Sequence, residues 1–264
     1  MGLGGLGVNM YIDCPVTFPG NSFDSVMKDE RVNPEDLELL KQLVYTNTSS
    51  QAKQVSDYGA LLARIPTAPR RVAMARALTR LKVVFAGLVI KPDTDVDKIA
   101  GYWGHLPGVR FNDIRPLLEG FRALPAGGQL RLYYLLPKLA RERLYTYPLP
   151  PRPGDPAMDC YWTAFNFASD PPDNRLHEST NLLHLIQSEY YQINAPGIYG
   201  DILLLMDNKN RPQHAAVYLA DDLFFTKNGE NPAMPWVIMH SADLRALYPA
   251  NLMPGTCYLR RKTD

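Results

Sequence analysis

Cysteine is scarce in this chain: Cys14, Cys160 and Cys257 are all it has in 264 residues, and no two form a Cys-x-x-Cys pair. A scaffold built on disulfides is excluded, and so is a thiolate zinc site of ordinary spacing. Nor is there an excess of either charge, since 28 basic residues face 27 acidic ones for a net charge of +1. Nucleic acid and anionic membrane surfaces are therefore not expected partners. No apolar run reaches the roughly 18 residues that a membrane-spanning helix needs. The opening residues, MGLGGLGVNMYID, lack the basic-then-apolar order of a secretory leader. An exported, periplasmic or cell-surface location stays compatible with a leader that has been removed. Leu6 stands where a myristoylation signal needs Ser or Thr.

Proline is plentiful at 23 residues, with local clusters around 66–69 and 148–156, which reads as ordered connections. Asn33-Pro34-Glu35-Asp36 has the form of a helix start: an amide cap, a proline in the first turn and acids behind it. Leu37, Leu40 and Leu43 follow at helical spacing. Further helices are predicted over 49–65, 69–90, 109–124 and 129–145, the last kinked or split by Pro137. The basic residues Arg70, Arg71, Arg76, Arg80 and Lys82 read as a solvated helix face. Trp103, within Tyr102-Trp103-Gly104, reads as a packing residue, with an aromatic groove as the alternative. The proline-dense run from Tyr147 to Met158 is the best linker candidate.

Beyond it the texture changes. Helices are predicted from 160 and over 181–193, then apolar runs at 201–206, 214–220, 223–227 and 236–240, with a short helix at 241–249 capped by Ser241. Asp221-Asp222 between two of these runs marks a hairpin turn. The fold class is therefore α+β: a tail over 1–28, a helical region over 29–150, and a domain with a small antiparallel sheet over 151–264.

Cys160 opens a predicted helix in Asp159-Cys160-Tyr161-Trp162, and His214 opens a predicted strand in His-Ala-Ala-Val-Tyr-Leu. A thiol at a helix N-terminus faces unpaired N–H groups that favour its thiolate, and a histidine packed beside it can take the proton. Cys14 and Cys257 could pair with each other, leaving Cys160 free. His177, His184 and His240 show no metal-ligand spacing, and neither a metal nor an organic cofactor is expected.

Asp159-Cys160 at a helix start, Gly200-Asp201 at a strand start and the His214 run resemble NlpC-type cell-wall endopeptidases of the papain-like thiol hydrolase superfamily. The resemblance covers roughly 155–250. It implies a papain-like domain in which Cys160 is the nucleophile and His214 the general base, cleaving an amide or peptide bond through an acyl-enzyme. The substrate it implies is a peptide or a peptidoglycan stem peptide. The Cys160 sulfur is then expected about 3–4 Å from an imidazole nitrogen. Register places Thr226 where the family orients its histidine, while amide chemistry favours Asn228 two residues on. Tyr161 and Trp162 replace the usual Ser-Gly and reshape the substrate cleft. Asp159 is an N-cap or, alternatively, a group that recognises a substrate amine. A second reading takes the same scaffold as a non-catalytic binding module whose cleft those two rings block.

Overall fold

In a computed structural model the chain is described over residues 16–18, 22–48, 53–56, 58–79, 84–107, 110–148, 158–229, 234–248, 250 and 253–262. The helices are α1 (Ser22–Met27), α2 (Pro34–Leu43), α3 (Tyr58–Arg64), α4 (Ala68–Thr79), α5 (Val96–Trp103), α6 (Phe111–Arg122), α7 (Lys138–Arg143), α8 (Cys160–Phe165), α9 (Ser179–Glu189) and α10 (Ser241–Leu247). The strands are β1 (Val16–Phe18), β2 (Val44–Thr46), β3 (Lys53–Val55), β4 (Gly87–Ile90), β5 (Gly128–Arg131), β6 (Tyr190–Ile193), β7 (Ile202–Met206), β8 (Pro212–Ala220), β9 (Leu223–Lys227), β10 (Trp236–His240) and β11 (Gly255–Arg261). The fold is α+β.

Its centre is a six-stranded sheet in the order β10-β9-β8-β7-β11-β6, antiparallel at every pairing. The expected hairpin is present, β8 to β9, with Asp221 in the left-handed region at φ 51°. Side chains alternate along a strand, so the sheet has two faces. Ile202, Leu204, Ala215, Val217, Leu219, Phe225, Trp236 and Ile238 point one way, into a core shared with α8. Leu203, Leu205, Ala216, Phe224, Val237 and Met239 point the other way, into a core shared with α1 to α4. Both faces are therefore covered. Each fully buried large side chain contributes about 1.5–3 kcal/mol relative to leaving it in water.

These two cores cross the expected boundary at residue 150. Ile90, Trp103, Leu118 and Leu139 belong to the α8 core, while Phe18, Leu40, Leu61 and Met74 pack on the opposite face. The N-terminal region thus contributes to both layers that cover the sheet, and is not a separate helical unit. Nor is it all helical. Residues expected as tail form β1 and α1, with Phe18, Phe23 and Val26 buried. Of the spans expected as helices over 49–65 and 69–90, the described residues form β3 and α3 in the first and α4 and β4 in the second; 49–52, 57 and 80–83 lie outside the described residues. In 129–145, β5 and a 3₁₀ turn (Leu132–Leu135) precede α7, which Pro137 caps. The helix expected to reach 193 stops at Glu189, where β6 begins. Gly87–Ile90, expected at the end of the 69–90 helix, instead pairs with Gly128–Arg131, as glycine's poor helix propensity and the β-branched Val89 and Ile90 favour.

Several local signals act as written. The Asn33 side chain caps α2 by accepting from the Glu35 N–H. Gly200 sits at φ 96°, where a Cβ would come within 2.9 Å of Leu106. Asp201, at the start of β7, accepts from the Gly197 and Ile198 N–H groups and from both arms of Arg260. Burial pushes that carboxyl up, but the guanidinium and the two amides outweigh it and hold it below the usual range. Ser241 starts α10 without capping it; the N-cap position is His240. Trp103 is packing: it is buried, with its ring 4.6 Å from that of Tyr199.

Candidate functional site

Cys160 is the first residue of α8, and Asp159 is its N-cap, accepting from the Trp162 N–H at 2.7 Å. All six residues of α8 are buried, and the Trp236 indole N–H, donating to Thr163 Oγ1 at 3.0 Å, ties the helix to β10. Cys160 lies on the Ala215/Val217 face of the sheet. Burial pushes its thiol up, and the neighbouring Asp159 carboxylate adds to that shift. The Ala215 amide and the Lys227 ammonium oppose it but do not prevail. The thiol is protonated at neutral pH, the reverse of an activated nucleophile.

His214 is elsewhere. It sits across from Leu205 on β7, so its ring points to the face of Leu205 and Ala216. There it stacks on Tyr248, with ring centroids 4.0 Å apart and planes 20° apart. Nε2 and Thr226 Oγ1 share a hydrogen bond of 3.0 Å, and the same hydroxyl lies 3.3 Å from the Ala215 carbonyl. Nδ1 has no hydrogen-bond partner among the described residues. Burial alone lowers the imidazole to about 3, so it is neutral at pH 7.

The sheet therefore separates the expected pair. Cys160 packs on one side and the His214 ring on the other, and the backbone of β8 lies between them. The contact expected at 3–4 Å is not made. The physical reason is parity: in His214-Ala215-Ala216-Val217 the histidine shares a face with Ala216, while α8 packs on the face of Ala215 and Val217.

The other expected site residues divide accordingly. Thr226 does contact the imidazole, as register predicts. Asn228 does not: its side-chain N–H points to the Met239 sulfur at 3.2 Å, and its Oδ1 has no partner among the described residues. Tyr161 and Trp162 are core residues at 9% and 1% exposure, not walls of a cleft. The Trp162 ring stacks parallel to His177 at 5.6 Å. Asp159 is an N-cap, which leaves its substrate-recognition role without support. Cys257 is a free thiol; Cys14, its possible partner, lies outside the described residues, as does most of the proline-dense run.

Two features carried no sequence signal. Lys227 is fully buried on the Cys160 side, its ammonium donating to the Gly229 carbonyl, and a lysine ending an apolar run reads as solvent-facing. An open hollow beside β4 and β5 is lined by Phe85, Tyr133, Tyr134 and Tyr145, residues expected inside helices. Among the described residues no three His, Cys, Asp or Glu side chains converge to hold a metal, and no helix is long and apolar enough to cross a membrane.

Neither models of known protein families nor curated proteins match this chain.

Proposed function

We propose that this chain is a non-catalytic binding module, in which the thiol and imidazole of a hydrolase-like sequence pattern serve as packing groups. One observation carries the reading: Cys160 and His214 occupy opposite faces of β8, so neither can pass a proton to the other. The protonated, buried thiol and the neutral, buried imidazole support it. General-base activation needs hydrogen-bond reach between the two groups, directly or through one water. A strand backbone between them denies both routes.

The test is hydrolysis of amide substrates, peptidoglycan stem peptides included, by the full chain, the Cys160→Ala variant and the His214→Ala variant. The expected result is no turnover above the uncatalysed rate for any of the three. Turnover by the unaltered chain that both variants abolish would restore the thiol hydrolase reading.

A further inference from the structure

The hollow beside β4 and β5 is a concave surface that the hydrolase pattern leaves unexplained. Ala86, Leu88, Ile90 and Leu130 turn inward to the α8 core. Phe85, Gly87 and Val89 alternate with them and face outward, with Phe85 81% and Val89 64% exposed. Register places Arg131 across from Gly87 and Gln129 across from Val89. The missing side chain at Gly87 makes the floor, where a Cβ would come within 3.0 Å of the Leu130 carbonyl. The cavity measures about 570 Å³.

Its walls are ring faces. Phe85 packs on Tyr145 at 4.6 Å, and Tyr133 meets Tyr134 edge-on at 5.3 Å and 87°. Tyr145 is pinned: its backbone is left-handed at φ 62°, its N–H donates to the Trp236 carbonyl and its hydroxyl to the Val84 carbonyl. A non-glycine residue held there is strained, and the surroundings hold it against that strain. The polar groups on the rim (the Tyr133 and Tyr134 hydroxyls, the Gln129 amide and the Arg131 guanidinium) can all donate. No carboxylate lines the hollow, and Arg131 forms no ion pair among the described residues.

We propose that this hollow docks a proline-rich segment of a partner protein that carries an acidic residue. Compact apolar pyrrolidine rings suit a slot walled by tyrosine and phenylalanine faces. A proline-rich helix presents carbonyls and few N–H groups, so it matches a rim of donors. The unpaired guanidinium calls for a carboxylate on the ligand by charge complementarity. An extended segment ordered before binding loses little conformational freedom, which fits a shallow, rigid site. The proposal goes beyond the binding-module reading and stands or falls separately, because Phe85, Tyr134 and Arg131 touch neither Cys160 nor His214.

The experiment uses the full chain and a fluorescent synthetic peptide of Pro-Leu-Pro-Pro units bearing one glutamate, followed by anisotropy. Saturable binding is expected. Phe85→Ala and Tyr134→Ala should each weaken it about tenfold. Arg131→Gln should weaken it several-fold and flatten its salt dependence. All three side chains are exposed, and far-ultraviolet circular dichroism checks that the variants keep the fold. No saturable binding, equal affinity in all variants, or equal affinity for a peptide with alternate prolines replaced by alanine would overturn the proposal. So would binding that emerges only when Pro150, Pro151 and Pro153 are changed to alanine, because the occupant would then be the chain's own proline run. Amide turnover alongside normal peptide binding would overturn the earlier reading alone.

Discussion

Replacing His214 with glutamine tests the separation of the pair through stability, without any substrate. In the unfolded chain the imidazole titrates near 6.5, and in the fold burial lowers it to about 3. The sign follows from proton counting: below 6.5 the unfolded state takes up a proton that the folded state refuses. Stability is therefore full above 6.5 and is lost as pH falls toward 3. With those two values the loss at pH 5 is about 2 kcal/mol relative to pH 7.5. His214→Gln can keep a hydrogen bond to Thr226 but cannot titrate. Urea unfolding of both proteins at pH 7.5 and pH 5 isolates the effect, because the other histidines, including the exposed His240–Asp222 pair, cancel in the difference. The unaltered chain should lose about 2 kcal/mol more than the variant over that interval. A thiolate–imidazolium pair would do the opposite, because a raised imidazole pKa gives stability that is present at low pH and lost as pH rises. Equal losses in the two proteins, or a smaller loss in the unaltered chain, would refute burial of a neutral His214.

Iodoacetamide should label Cys160 more slowly than the half-exposed Cys257 in the folded protein, and mass spectrometry after a urea titration should show Cys160 catching up as the fold opens. Thr163→Val leaves the buried Trp236 indole N–H unpaired and should cost about 1–3 kcal/mol in chemical denaturation, with little change in circular dichroism. Asp201→Asn leaves the Arg260 guanidinium without its carboxylate and should cost about 3–5 kcal/mol, whereas a loss below about 1 kcal/mol would show that the pair is solvated. Asp159→Ala removes the cap of α8 and should cost about 1 kcal/mol by the same measurement.

What the sequence disclosed depended on how local each signal was. The Asn33 cap, the Asp159 cap, the Asp221-Asp222 hairpin and the strands at 202–206 and 236–240 are written in neighbouring residues, and each forms where expected. β1 to β5 were not legible, because strands of three or four residues carry too few positions for alternation to show, and the β1–β3 and β4–β5 pairings join segments far apart in the chain. The site failed for a related reason. That Cys160 opens a helix and His214 sits at a strand start can be read locally. Which face of that strand the helix covers is decided by packing, and a change of one position in parity moves the imidazole to the far side. Thr226 was found because register within one hairpin is local.

The sharing of one sheet by two cores bears on how this chain can be cut for expression. A fragment beginning at residue 151 would carry all six strands but leave behind α1 to α4, and with them the cover over Leu203, Leu205, Phe224, Val237 and Met239. That fragment would present water with a broad greasy wall and would be expected to self-associate or precipitate rather than behave as a monomer. The complementary piece, ending at 150, would keep Phe18, Leu40, Leu61 and Met74 with nothing to lie against. Recombinant work on either half therefore requires both.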